Sequence, residues 1–386
     1  MTHDLLFSVD KLLVNGTTTC SYFGVLGVES TKVLVDVLWE KGQRAFVGKV
    51  NMNRLSPDDY CEDAKTSLET TKHFIDYVRG GGSDTDKDKD KDRRTPLVEP
   101  VITPRFVPSC TENLLSSLGE LARSSGCRVQ SHAVESVDCL ATVEMLHGVG
   151  DGKGEVDILD RAGLLREGSI MAHCVHASKS DIQTFLARGV GIACCPLSNV
   201  YFAGGALRVR ALMDASVKIG LGTDVAGGYS HRMLDAVRHS VTTHLSLCAS
   251  DDNVARIGKS ESRVESRVES GVESGVESGV ESGVESESGE RCVGYAPGFG
   301  GRVERNSFGW KDAVWLATVG GAKVLGMETC IGRLRKGFEF DGFVIDSTEF
   351  VDPLGEDEPV TTFERFVHLS DDRHISEVWI QGRRVR

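Results

Sequence analysis

The chain has 386 residues with a formal net charge of −13, enough for one large barrel or two domains. Residues 261–290 hold two Arg and nine Glu, so the remainder is only mildly acidic and offers no basic patch for nucleic acid. No apolar run approaches the ~18 residues of a membrane span, and the start MTHDLLFSVDKLL lacks the basic and apolar regions of a signal peptide. Eleven cysteines, odd in number and without C-x-x-C spacing, suit reduced thiols in a cytoplasmic protein rather than a disulfide framework.

In chain order, Leu5 to Val14 has helical character and Gly16 to Phe23 is β-rich. Helical spacing of Val33, Leu34, Val37 and Leu38 predicts a helix over Ser30 to Glu40. Arg44 to Val50 reads as a strand and Asp59 to Val78 as a helix. A charged stretch follows; the segment 83–95, rich in Asp and Lys, is expected to be a solvated loop. Alternation then resumes. Strands are expected over Val98 to Thr103, Cys127 to His132, Ser169 to His173, Val190 to Cys195 and Ser216 to Ile219. Helices are expected over Glu112 to Ser124, Glu135 to Leu146, Ser178 to Arg188 with Ser178 as N-cap, Gly205 to Ala215, and Tyr229 to Leu247.

Seven strands alternating with helices predict a parallel sheet and a (β/α)8 TIM-like barrel of the α/β class, one strand short at its start. Residues 1–249 would form the first part of the barrel. A low-complexity insertion would occupy 250–306, with RVES at 263 and 267 and GVES at 271, 275, 279 and 283. One Val per unit cannot offset the ordering entropy of such a repeat, so disorder is expected there. The last barrel helix would lie in 307–331, from Trp310 to Leu325. Residues 332–386 would form a small β subdomain, with strands at Gly342 to Ile345 and Glu377 to Ile380 and a hairpin turn at Gln381-Gly382.

His132, His173 and Asp224 each fall at the C-terminal end of a strand, the rim where barrels place chemistry. Imidazole nitrogen and carboxylate oxygen are ligands that a hydrolytic zinc prefers. Glu135, three residues after His132, is spaced to face the same cleft and to shuttle protons. A carboxylate at a helix start also suits the helix dipole, and an Asp after a glycine turn also suits helix capping.

The stretches NGTTTCSYF (15–23), GQRAFVGKVNM (42–52), ITPRFVPSC (102–110), QSHAVES (130–136), MAHC (171–174), CPLSN (195–199), VKIGLGTDVAGGYS (217–230), ATVGGAKVLG (317–326) and LSDDRHISEVWIQGRRV (369–385) carry a resemblance. With them the chain resembles the guanine deaminases of the amidohydrolase superfamily. The resemblance implies hydrolysis of guanine to xanthine and ammonia, with Zn2+ held by His132, His173 and Asp224. It implies Glu135 as proton carrier, Asp224 as both ligand and base, and Arg105 and Phe106 as the grip on the purine beside His132. A homodimer acting on a small molecule, with no nucleic acid or membrane partner, is the expected assembly. The family also carries a His-x-His pair in a segment like PGLVDTHIHA, which nothing in residues 1–386 matches, and many members have histidine where Cys194 stands. Weak metal binding and low turnover are therefore expected of residues 1–386. The alternatives are an inactive remnant of the enzyme and a scaffold protein working through its tetrad repeat.

Overall fold

The computed structural model describes residues 2–82, 95–148, 150, 152, 154–268, 308–349 and 358–386. Most of the charged loop and the GVES units lie outside the described residues. Helix α1 (Thr2–Val14) leads into β1 (Thr19–Phe23), α2 (Val28–Lys41), β2 (Arg44–Gly48), the two-residue β3 (Val50–Asn51), α3 (Ala64–Arg79) and β4 (Val98–Pro104). Then follow α4 (Glu112–Ser125), β5 (Arg128–Ala133), α5 (Val137–His147), α6 (Glu155–Arg161), β6 (Ser169–His173), α7 (Lys179–Arg188), β7 (Gly191–Cys194), α8 (Pro196–Tyr201), α9 (Val209–Asp214) and β8 (Lys218–Leu221).

All these strands pair in parallel, in the order β1-β2-β4-β5-β6-β7-β8, with β3 beside β4. The seven expected strands are thus present, the second broken at Lys49. The sheet is strongly curled. Ser21 on β1 donates to Oε1 of Gln130 on β5 at 2.6 Å, and the Gln130 amide donates to the Tyr22 carbonyl at 2.8 Å. Two strands three places apart in the sheet order therefore meet across a polar layer of the interior, as in a β/α barrel. Between sheet and outer helices lies the main core, including Ile102, Leu114, Val129, Met171, Phe185 and Ile219. A second core under α1, α2 and α3 gathers Val9, Leu34, Leu38 and Phe74 around Val47. Strands buried on both faces read as continuous apolar runs, which is why they were visible in the sequence.

Several boundaries differ from expectation. Pro196 opens α8 rather than only closing a strand, because its missing N–H costs nothing at the first turn. The helix expected to end at Leu247 is α10 (Met233–Val268), running through the RVES unit at 263. Those RVES units have Arg where the later units have Gly, so the glycine penalty on helix does not apply to them. The helix after the insertion starts as α11 (Trp310–Trp315), passes through a π-turn (Leu316–Gly320) and ends as α12 (Gly321–Val324). It lies directly on β8: a Cβ on Gly220 would come within 2.8 Å of the Gly321 Cα. A Cβ on Gly320 would run into the Ile219 carbonyl, so glycine at 220 and at 320 is what allows backbones that close.

At the C-terminal end β9 (Gly342–Ile345), α13 (Pro359–Leu369), β10 (Ile375–Ile380) and β11 (Arg383–Arg384) add an antiparallel sheet ordered β11-β10-β9. Its hairpin turns at Gln381 and Gly382, both with positive φ. Arg44 at the start of β2 anchors this sheet. Its guanidinium reaches Glu339 at 2.5 Å and Asp341 at 3.0 Å, with all three side chains buried.

Candidate active site

Four strand ends converge on one patch of the barrel rim. His132 is the penultimate residue of β5, His173 closes β6, Asp224 follows β8 by three residues, and Phe23 closes β1. One ligand atom from each of His132, His173 and Asp224 lies within 4.8 Å of the other two. The two imidazoles lie nearly parallel, 15° apart, with centroids 5.3 Å from one another. Phe23 packs on His132 at 4.5 Å between ring centroids.

Each imidazole is held by its Nδ1. His132 Nδ1 donates to the Arg105 carbonyl at 2.7 Å, and the same carbonyl accepts the His132 backbone N–H at 3.0 Å. A carbonyl only accepts, so the ring proton sits on Nδ1 and Nε2 carries the lone pair. His173 is buried, and its Nδ1 donates to Oδ1 of the buried Asn199 at 2.9 Å. This is the arrangement that fixes histidine for a metal, with the outer nitrogen tied and the inner one free. Burial, together with the neighbouring His173, holds the His132 pKa below its ordinary value, which keeps the ring neutral and able to ligate. The residues present therefore fit a divalent metal of the zinc type.

Asp224 owes its position to its loop. Its φ is +49°, and a Cβ on Gly227 would fall 2.5 Å from its Oδ2. The Gly227-Gly228 pair is thus what lets the carboxylate fold back against its own loop. Val134, His173 and Cys174 also have positive φ, at 43°, 68° and 53°. Left-handed backbone is costly for such residues and clusters where a site demands it.

Glu135 does not begin a helix, as the sequence had suggested. Ser136 is the N-cap of α5, its hydroxyl accepting from Cys139 N–H, so Glu135 sits on the loop ahead of it. There its Oε1 lies 3.7 Å from His173 Nε2. Arg105 and Phe106 follow β4, the Arg105 guanidinium resting 5.3 Å from the centre of the Phe106 ring. Arg105 is exposed, Phe106 half-buried. Cys194 is buried in the core and stands outside the His132, His173 and Asp224 group; burial pushes its thiol up to about 12.

Three site residues escaped the sequence reading. Asn199 lay in the quoted CPLSN stretch without a role. Phe23 ends a strand as His173 does, and that shared position was the signal. The buried Glu155 at the start of α6 contacts the backbone of both site loops, and nothing in its Gly-rich surroundings marked it.

A curled parallel sheet with two histidines and an aspartate at its rim defines a metal-dependent hydrolase of the β/α-barrel type. The chain belongs to the amidohydrolase family, which it matches over residues 2–258 and 252–385. Within that family it is similar to the guanine deaminase of Dictyostelium discoideum, at 31% identity over 99% of this chain and 73% of that protein. It is 33% identical to a probable guanine deaminase of Schizosaccharomyces pombe, over 98% of this chain and 61% of that one. Among solved structures it resembles the guanine deaminase of C. acetobutylicum with guanine bound in the active site. That likeness has a TM-score of 0.73 and 27% identity, over 98% of this chain and 74% of the other.

Proposed function

We propose that this protein deaminates guanine to xanthine and ammonia by hydrolysis, with zinc held by His132, His173 and Asp224. The observation that carries the reading is the meeting of these three ligand atoms within 4.8 Å at three strand ends, in a chain similar to guanine deaminases throughout its length. When bound, zinc supplies Lewis-acid and water-activating chemistry. Glu135, beside His173, takes a proton from the attacking water and delivers it to the purine ring. The water oxygen bonds to the ring carbon bearing the exocyclic amine, the proton left on that oxygen passes to the amine, the carbon–nitrogen bond breaks, and the amine leaves as ammonia. Asp224, three residues past β8, is ligand and the second base, which hands the hydroxyl proton to the leaving amine. Arg105 offers planar donors to the O6 and N7 acceptors of guanine, and Phe106 offers a stacking face. The working form is a cytoplasmic homodimer.

Purified protein loaded with Zn2+ and given guanine tests this. Loss of guanine absorbance with equimolar xanthine and ammonia is expected. Stoichiometric zinc with no xanthine formed would overturn the reading and favour an inactive relative of the enzyme. Sedimentation of the same sample reads the assembly.

A further inference from the structure

We infer that Glu155 is a positioning residue that sets the placement of Glu135 and Phe106 through backbone hydrogen bonds. The inference rests on the roles given above to those two residues. Glu155 is the first residue of α6 and is 1% exposed. Its Oε2 accepts the Val134 N–H at 2.7 Å, its Oε1 accepts the Val107 N–H at 3.4 Å, and the Cys139 thiol approaches Oε2 at 3.6 Å. Val107 directly follows Phe106, and Val134 directly precedes Glu135. One carboxylate thus grips the chain next to each of two separate site residues.

The bond to Val134 has a specific task. Val134 has φ of +43°, and a β-branched residue in the left-handed region is an outlier that its surroundings must enforce. The enforcement is visible on both sides of the residue. Its N–H is held by Glu155, and its carbonyl accepts the His176 N–H at 3.0 Å. With His132 fixed on β5 by the Arg105 carbonyl, turning the chain at Val134 is what brings Glu135, three residues on, back to His173. A carboxylate at a helix start meets the dipole of its own helix, but that alone does not explain Glu155. Its oxygens reach to two other loops, while Asp157 serves the N-terminus of α6 by accepting the Gly154 N–H.

The metal ligands are held by other groups: His132 by the Arg105 carbonyl, His173 by Asn199, and Asp224 by its glycine loop. Loss of Glu155 is therefore expected to leave the metal in place and to misplace Glu135. Misplacement of a reacting group by ~1 Å costs up to about a hundredfold in rate.

The test uses the full chain with Glu155→Gln, which keeps one acceptor oxygen, and Glu155→Leu, which keeps none. The expected result is a graded fall in kcat, about tenfold for Gln and about a hundredfold for Leu, with zinc content unchanged. Adding Val134→Gly to Glu155→Leu should recover part of the lost kcat. Glycine takes the left-handed turn unaided, whereas it would only worsen a general loss of stability. Residue-resolved amide exchange provides a second readout that needs no substrate. Val134 and Val107 amides should exchange faster in Glu155→Leu while the rest of β5 stays protected. If the unmodified protein fails to turn over guanine, the functional reading falls, and the exchange measurement still decides the role of Glu155. Unchanged kcat in both variants, unchanged exchange at Val134, or no rescue by Val134→Gly would overturn the inference. So would a Glu155→Gln chain that cannot fold, since that marks the residue as structural.

Discussion

Oδ1 of Asn199 accepts a hydrogen bond from Nδ1 of His173 at 2.9 Å, and both residues are buried. This contact fixes the tautomer and the orientation of the ring that points its Nε2 toward His132 and Asp224. Outer partners of this kind are typically worth about 10–100-fold in metal affinity. Asn199→Leu should weaken zinc binding by that amount in competition with a chelator of known affinity. Equal zinc retention in variant and parent would show that packing alone orients His173.

Glu135 lies 3.7 Å from His173 Nε2, on a loop and not in a helix. Glu135→Gln keeps the shape of the side chain and removes its capacity to take a proton. Turnover of guanine should fall by about 10²–10⁴ while zinc content stays at the parent level. Elemental analysis and absorbance on one preparation check both halves. Near-parental turnover would remove Glu135 from the mechanism.

Stability should depend on pH through Glu155. Burial raises its carboxyl from 4.5 to about 7, helped by the nearby charge of Glu135 and opposed by the hydrogen bonds from Val134, Val107 and Cys139. A raised acid keeps its proton in the folded chain and releases it at lower pH once unfolded. Its contribution is therefore complete below about pH 4.5 and is lost as pH rises to about 7. At ~1.4 kcal/mol per pKa unit, the loss is on the order of 3 kcal/mol. Urea midpoints at pH 5 and pH 8 should differ by more in the parent than in Glu155→Gln, which has no proton to release. Parallel shifts in the two proteins would assign the pH dependence to other groups.

Arg44 is the positive partner of two buried carboxylates, Glu339 and Asp341. Arg44→Met would leave both without a counter-charge. Breaking a buried pair from one side costs about 3–5 kcal/mol, so a clear drop in the urea midpoint is expected. Adding Glu339→Gln and Asp341→Asn to that variant should return much of the loss. If the triple variant is no more stable than Arg44→Met, the carboxylates are not the source of the cost.

The parts of this molecule legible in the sequence are those written by repetition. Buried parallel strands read as apolar runs, and the strand-end positions of His132 and His173 pointed to the same rim where these side chains meet Asp224. Ser178 was found as an N-cap because its capping box is local in sequence. Long-range contacts left no such trace. Gln130 gave no sign that it would meet Ser21 across the barrel interior, nor Glu155 that it would reach back to Val107 and Val134. The start of α5 was misplaced by two residues because Glu135 is as acceptable in a first helical turn as Ser136 is in a cap. Left-handed backbone was hidden most of all at Val134, a β-branched residue that does not take positive φ unless its surroundings enforce it.

The contact between Arg44 and the carboxylates near the C-terminal end also bears on how the chain is made. Arg44 and Asp341 are separated by 297 positions, and Arg386 reaches back to the Val14 carbonyl at 2.7 Å. During synthesis the first helices and strands leave the ribosome long before the groups that neutralise Arg44 exist, at ~5–20 residues per second. For that interval of some tens of seconds the guanidinium has to stay in water, and the base of β2 cannot be sealed. The small C-terminal sheet thus acts as the final latch on the barrel, and a chain ending before Glu339 would leave the Arg44 guanidinium without either carboxylate.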